Sequence, residues 1–523
     1  MEYRKSSLGK NAFILTLAAI IVKILGAIYR IPVTKLILDE GIGYYQSAYP
    51  IYDIMLAIST AGLPVAVATL VSSYDARKMY TSSKKVFNIS VIFMGCLGLI
   101  LALVLFIFSK NLVDYFNNPN AYYAVVALVP AMIFSPILAS LRGYYQGKEM
   151  MTPTAISQTL VQLFRMISGL LLIKLLLPKG ISVAAGGASA GAGVGALVGL
   201  IYMIIVHVRR KSFFDKEIAL SETQSDDYMK IFKTMIKISI PISIGAAIIP
   251  IMDFIDIKLV MSGLINSGFS IAEANMRFGW LKGMAQTLIN FPQVLAVSIG
   301  VASIPVLSGF FSLKKLDDLN KQVSLLIKII LLIGIPCMIG LFILSYPIIS
   351  MLYSSTGEIA VTGTTNILKI LSLSIPFIMI ISLSSSILQS IHKERIPVYN
   401  IVIGAILKII VTYILTNNPE YNIYGAAIGT VLGFALTSLL DLFYIYKILK
   451  PSLPDKILMI IFSSVVMGVG VYITNKFLSS FVGAKISCVF AVVVGMIIYG
   501  CLILITKSIN INDLKNIRGK NGN

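Results

Sequence analysis

Charge is scarce in this chain. Asp, Glu, Lys and Arg make up 13% of its 523 residues, against about 25% in soluble globular proteins. The apolar share is 57% and the mean hydropathy is +0.88. Together these exclude a soluble protein with a large core. Histidine occurs twice, at His207 and His392, both beside basic residues at the ends of apolar runs. The four cysteines, Cys96, Cys337, Cys488 and Cys501, all fall inside apolar runs. Such spacing excludes a disulfide framework, a metal-ligand set and a nucleophile–base pair, so no metal or organic cofactor is expected. The cysteines read as small core residues. Acid is the scarcer sign, with 23 Asp+Glu against 43 Lys+Arg and a net charge of +20. In a soluble chain that excess suggests nucleic acid; in an apolar chain it reads as loop topology, and no nucleic-acid partner is expected. Residues 1–10 lead directly into an apolar run without a small-residue cleavage site, so no cleavable leader is read.

What is present is a series of apolar runs. A span needs about 20 residues to cross about 30 Å of hydrocarbon. Fourteen runs qualify: 12–37, 44–73, 85–109, 121–143, 153–177, 181–207, 231–262, 278–308, 322–350, 364–391, 396–416, 423–447, 457–477 and 485–507. The sixth opens on Ala184, Ala185, Gly186, Gly187, Ala188, Ser189, Ala190 and Gly191. Residues that small let helices approach closely and predict packing against protein on most sides. Cations cluster at the N-terminus and in the even loops: Arg77, Lys78, Lys84 and Lys85; Arg142 and Lys148; Arg209, Arg210, Lys211 and Lys216; Lys314, Lys315 and Lys321; Lys393 and Arg395; Lys447, Lys450 and Lys456. The tail adds Lys507, Lys515, Arg518 and Lys520. The alternation predicts both termini on the cytoplasmic side of a multi-pass membrane protein.

Two stretches recur six spans apart. Span 4 ends Ser140-Leu-Arg-Gly-Tyr-Tyr-Gln-Gly-Lys148, and Pro153 opens span 5; span 10 ends Ser385-Ser-Ile-Leu-Gln-Ser-Ile-His-Lys393, and Pro397 opens span 11. Spans 2 and 8 share a Ser/Gly/Pro pattern, ending at Pro64 and Pro305 before basic loops. The predicted fold is therefore an all-α polytopic bundle of two six-helix lobes, related by a parallel repeat, plus two extra helices. The lobes occupy 1–210 and 231–450, with a linker at 211–230 and spans 13–14 and the tail at 451–523.

Ionisable groups at bilayer depth are costly and mark function by default. Lys23 and Arg30 lie two turns apart on span 1, on one face. A mobile ammonium and a forked guanidinium suit a pyrophosphate or carboxylate; the plainer reading is snorkelling or pairing with Asp53. Gln158, Gln162 and Arg165 form a stripe on span 5. Lys408 sits in the matching part of span 11, the alternative being separate structural pairs to backbone carbonyls. Lys282, Gln286, Asn290 and Gln293 form a polar stripe on span 8, lining a cavity or packing between helices. Asp253 and Asp256 share a face of span 7, and with Asp53 are candidates for binding a coupling proton or sodium ion; a salt bridge to Lys258 or Arg277 is the bland alternative. Arg142 stands at a helix end, as a gate or an interfacial anchor.

The stretches Gly43-Tyr-Tyr-Gln-Ser-Ala-Tyr-Pro-Ile-Tyr-Asp53, Ser59-Thr-Ala-Gly-Leu-Pro64, Leu141-Arg-Gly-Tyr-Tyr-Gln-Gly147 and Met151-Thr-Pro-Thr-Ala-Ile-Ser-Gln158 resemble the stage V sporulation protein B branch, with the Gram-positive MurJ-type lipid II flippases, of the multidrug/oligosaccharidyl-lipid/polysaccharide exporter superfamily. The resemblance covers essentially the whole chain. It implies a V-shaped pair of lobes, a central cavity, alternating access and an undecaprenyl-pyrophosphate-linked glycan as substrate. That means a transporter, not an enzyme, acting on lipid II for peptidoglycan or spore cortex. Lys23 stands where Gram-negative members carry an arginine, and their paired span 2 arginines have no match here. The expected partners are the lipid-linked glycan, membrane lipids and cell-wall synthesis machinery, with the chain itself a monomer. The driving force is read as a coupling ion or the membrane potential. Alternatives are a cation-coupled multidrug or other polysaccharide-lipid exporter of the same superfamily, and a membrane glycosyltransferase, for which the outer loops supply only isolated acids.

Overall fold

A chain in hydrocarbon must satisfy its backbone internally. The computed structural model, which describes residues 8–221, 225–452, 455–506 and 508, is helical wherever it is regular among those residues. The basic residues Arg4 and Lys5 and the tail cations from Lys507 onward lie outside the described residues, as does the side chain of Lys10.

The first helices are α1 (Leu8–Leu56), a π segment (Ala57–Ala61), α2 (Gly62–Ala76), α3 (Tyr80–Tyr115), α4 (Tyr122–Val126), α5 (Val129–Gly147), α6 (Met151–Leu176) and α7 (Ile181–Arg209). Then come α8 (Lys211–Ala219), α9 (Tyr228–Asn266), α10 (Ile271–Phe278), a second π segment (Gly279–Ala285), α11 (Gln286–Ser312) and α12 (Leu316–Ile343). The chain closes with α13 (Ser345–Tyr353), α14 (Glu358–Ser372), α15 (Ile375–Ser390), α16 (Arg395–Thr416), α17 (Asn422–Leu449), α18 (Ile457–Val482) and α19 (Ala484–Ile505).

Among the described residues, twelve helices are long and apolar enough to cross a membrane. The first of these, Leu17–Ala76, has 60 residues. At about 1.5 Å per residue it is three times too long for one crossing. It divides at Leu38, whose backbone (φ 58°, ψ −168°) is not helical. Spans 1 and 2 are thus distinct, though a one-residue kink replaces the expected 38–43 loop. Adding the pair α14 and α15, bent by 48°, completes the expected fourteen.

Packing divides the chain into two compact units: residues through Ser262 with Ser270–Gly279, and Gly263–Phe269 with everything from Trp280. This boundary lies later than the 211–230 stretch where the repeat places it. The reason is local. The linker contains a helix, α8, whose Phe214 is buried in the first unit's core with Leu63, Val67, Tyr144, Met203, Ile231 and Met235.

A glycine-seamed helix hairpin recurs in each unit. In the first, Gly187, Gly191, Gly195 and Gly199 recur every four residues on α7 and bring its backbone onto α6. A Cβ on Gly195 would sit 2.4 Å from the Val161 carbonyl oxygen. This explains the small-residue run read in span 6, whose residues Ala184 to Ser189 are buried. In the second, Gly425, Gly429 and Gly433 do the same for α17 on α16. Span 4 and span 10 match as well. Each is broken, into α4 and α5 and into α14 and α15, and each second piece carries proline in its first turn.

One core assignment is corrected. Cys96 and Cys501 are exposed, Cys337 is half-buried and only Cys488 is buried. In a membrane helix an apolar run does not separate the face that meets protein from the face that meets lipid.

Candidate functional site

The first unit holds an open-sided cavity of about 360 Å³. Its walls are Tyr52, Asp53 and Leu56 of α1, Thr60 of the π segment, Pro64 of α2, Ser135, Leu138, Ala139, Arg142 and Gln146 of α5, Gln158, Val161 and Arg165 of α6, and Ala192 and Ala196 of α7. Alanines on α5 and α7 leave the space. Pro136, inside α5, has no backbone N–H and so leaves one helix hydrogen bond unmade beside it. The polar lining holds two guanidinium groups and one carboxylate, a formal excess of one positive charge.

Arg165 reaches the cavity from mid-helix on α6. Its Nη2 donates to the hydroxyl of Tyr45 at 3.3 Å and to that of Tyr49, and its guanidinium carbon lies 5.0 Å from the Tyr49 ring centre. Its Nε is buried without a hydrogen-bond partner. Arg142 donates through Nε and Nη2 to Ser157 Oγ at 3.2 and 3.0 Å. It is therefore a wall of this cavity, tied to α6. Asp53 is exposed at the same cavity and within electrostatic range of Arg165, Arg30 and Asp253.

The span 5 stripe divides. Gln158 and Arg165 face the cavity, whereas Gln162 is 7% exposed and turned to α1, its Nε2 3.2 Å from where a Cβ on Gly26 would lie. Gln162 is a helix-packing residue in this structure. The remaining sequence-derived candidates lie elsewhere. Lys23 is exposed on α1 and Arg30 is half-buried. Asp253 is half-buried and Asp256 buried on α9. Lys258, a proposed partner for these acids, instead donates to the Tyr115 carbonyl oxygen and lies 4.7 Å from that ring's centre. In the second unit Lys282, on the π segment, and Gln286 and Asn290 of α11 are half-buried; Gln293 reaches Ser382 Oγ at 3.5 Å. Lys408 is half-buried on α16 against Gly433 of α17.

Two features escaped the sequence reading. One is the tyrosine stripe Tyr45, Tyr49 and Tyr52, legible as an i, i+4, i+7 pattern on α1. The other is an ion cluster at the end of the unit that carries the 77–80 and 147–151 turns. There Lys148, with its side chain 4% exposed, binds Asp75 at 2.9 Å and Glu217 of α8 at 2.7 Å. The rings of Tyr80, Tyr144 and Phe214 lie 5.2–5.8 Å from its ammonium. Nearby, Asp226 accepts from Lys230 Nζ at 2.7 Å and Tyr74 Oη at 2.7 Å. These bonds, the lysine's first, hold its carboxyl below the usual carboxylate range. The linker is thereby docked at both ends.

A membrane-helix bundle with a repeated hairpin and a charged cavity is the architecture a transporter needs. Within that class, the chain belongs to the polysaccharide biosynthesis protein family, whose model matches residues 8–311, and a second model, MatE, matches residues 282–414. It is 29% identical over 522 residues to the lipid II flippase MurJ of Bacillus subtilis (strain 168), covering 94% of each chain. To stage V sporulation protein B of the same organism it is 26% identical over 456 residues, 86% of each. The solved structure of a lipid II flippase MurJ in an inward closed conformation superposes with a TM-score of 0.70 at 18% identity, over 94% of this chain and 98% of that one. The protein is a multi-pass flippase or exporter of the multidrug/oligosaccharidyl-lipid/polysaccharide superfamily, and not an enzyme.

Proposed function

We propose that the chain flips an undecaprenyl-pyrophosphate-linked glycan precursor, lipid II, from the cytoplasmic to the outer leaflet for peptidoglycan of the wall or spore cortex. The observation that carries this reading is the pairing of Arg142 and Arg165 on one cavity with a single carboxylate, Asp53. Guanidinium groups bind phosphate oxygens through two parallel hydrogen bonds. A cavity with that balance favours an anionic head over a cationic drug, which would need the opposite sign. The name of one Bacillus relative, lipid II flippase MurJ, supports the same substrate, and that of the other, stage V sporulation protein B, supports a role in sporulation. In this reading the chain works as a monomer with both termini cytoplasmic. A coupling ion or the membrane potential drives it, and Asp53 is the acid nearest the site.

The test is transport by the purified chain in liposomes, scoring fluorescent lipid II for change of leaflet and for chemical turnover. Movement without turnover is expected. Export of a cationic dye with no movement of lipid II would replace this reading by the multidrug one.

A further inference from the structure

Arg165 and Asp53 line one cavity but do not pair. Among the described residues neither forms an ion pair. Opposite charges on one cavity wall attract each other, and an identifiable contact holds these two apart. That contact comes from α1. Tyr49 and Asp53 are four residues apart, hence neighbours on one helix face, and it is Tyr49 that holds the guanidinium. Nη2 donates to Tyr49 and Tyr45, and the ring of Tyr49 lies against the cation. The phenols are themselves fixed. Tyr45 is 2% exposed, its ring centre is 4.6 Å from that of Tyr49, and Tyr52 stands edge-on to Tyr49 at 5.8 Å. The Nε of Arg165 is left buried and unbonded, a donor whose desolvation no protein group offsets.

We propose that Tyr45 and Tyr49 are positioning residues that tether Arg165 away from Asp53, so that the cation is not neutralised within the protein and its remaining donors stay open to a phosphate oxygen of the ligand. Without the tether, the guanidinium swings to Asp53 and the cavity loses its excess charge. The phenols touch Arg165, not the ligand; they act through it. The proposal takes its ligand class from the flippase reading above, but the tether itself is tested without any transport.

The experiment uses the purified full chain in detergent and inorganic pyrophosphate as probe, with affinity read by calorimetry. The Tyr45→Phe/Tyr49→Phe double variant keeps both rings and removes both hydroxyls. It should bind pyrophosphate about tenfold more weakly, the effect of losing one charge-assisted contact. Adding Asp53→Asn, which removes the competing carboxylate, should restore affinity to that of Asp53→Asn alone. A role in packing alone would not be rescued by a change at Asp53. Failure of the rescue, wild-type affinity in the double variant, or no pyrophosphate binding by the wild type would each overturn the tether. If the rescue succeeds while lipid II does not move in liposomes, the tether stands and the flippase reading falls.

Discussion

Arg165 and Lys408 occupy the same place in two copies of one helix hairpin. A Cβ on Gly191 would lie 2.5 Å from the Arg165 carbonyl oxygen, and one on Gly195 would lie 3.1 Å from Arg165 Cβ. A Cβ on Gly429 would lie 3.1 Å from the Lys408 carbonyl oxygen, and one on Gly433 would lie 3.0 Å from Lys408 Cβ. The glycine stripe thus does two things in each unit. It joins two helices closely, and it fixes the height at which a cation leaves the neighbouring helix.

The glycine seam gives the first prediction. Gly191→Ala and Gly195→Ala place a methyl under 3.0 Å from backbone oxygen of α6, so the hairpin must open. Overpacking of this kind costs about 1–3 kcal/mol. The thermal midpoint of the purified protein should fall clearly for both. Gly340→Ala, where a Cβ meets nothing within 4 Å, should leave it nearly unchanged. Equal midpoints for the three variants would show that the seam does not set stability.

The second prediction concerns Lys148. Its ammonium is the cation shared by Asp75 and Glu217. Lys148→Met leaves two poorly hydrated carboxylates facing each other. Removing one partner of a buried ion pair costs about 3–5 kcal/mol, and Glu217, at 21% side-chain exposure, relaxes more easily than Asp75 at 9%. The linker should therefore detach before the bundle unfolds. Limited proteolysis should cut within 211–227 in Lys148→Met and spare the wild type. Unchanged resistance would mean that Phe214 and the Asp226 contacts hold the linker alone.

Much of this architecture was legible from hydropathy, because fourteen apolar runs punctuated by cations leave few other arrangements in a bilayer. The repeat was legible in Pro153 and Pro397. The cavity was only half legible. A charge such as Arg165 announces itself at bilayer depth, but Gln162, three residues away on the same stripe, packs against Gly26. A helix that meets protein on two sides presents polar groups to both, and periodicity does not distinguish them. Lys148 was hidden for another reason. A cation in a loop counts as a topology signal, and only the folded position of Glu217, 69 residues later, turns it into a buried ion pair. Tyr45, Tyr49 and Tyr52 look like ordinary aromatic core until Arg165 is seen against them.

The third prediction fixes orientation. Lys216, Lys315, Glu273 and Glu420 are all exposed, so a cysteine at any of them is open to reagent. The first two lie in cation-rich loops, which stay cytoplasmic by the positive-inside rule. In a background lacking the four native cysteines, Lys216→Cys and Lys315→Cys should react with membrane-impermeant maleimide only after permeabilisation. Glu273→Cys and Glu420→Cys should react in intact cells. The reverse pattern would invert the topology.

The last prediction concerns transport. Lipid II carries a pyrophosphate, sugars and a peptide across about 30 Å of hydrocarbon, and an unpaired charge in that medium is prohibitively costly. Cations on the path offset that cost, provided they hold the head loosely enough to release it. Spaced cations do this better than a closed cage, and Arg142, Arg165 and Lys23 are spaced over three helices. A hydrogen bond to a charged group contributes about 1.5–3 kcal/mol, so losing one slows flux about tenfold or more. Arg165→Ala and Lys23→Ala should each suppress lipid II movement in liposomes while leaving expression, membrane insertion and gel-filtration behaviour intact. Lys23→Arg should keep part of the activity, since the charge persists in a different geometry. Cells that depend on this protein should accumulate precursor in the cytoplasmic leaflet when either cation is neutralised. Lys23 is exposed on α1 outside the cavity lining and Arg165 is held in the cavity wall, so flux of the two variants over a range of substrate separates a contribution from outside the cavity from one within it. Undiminished flux with both neutralised in one chain would sink this mechanism even with the family assignment intact.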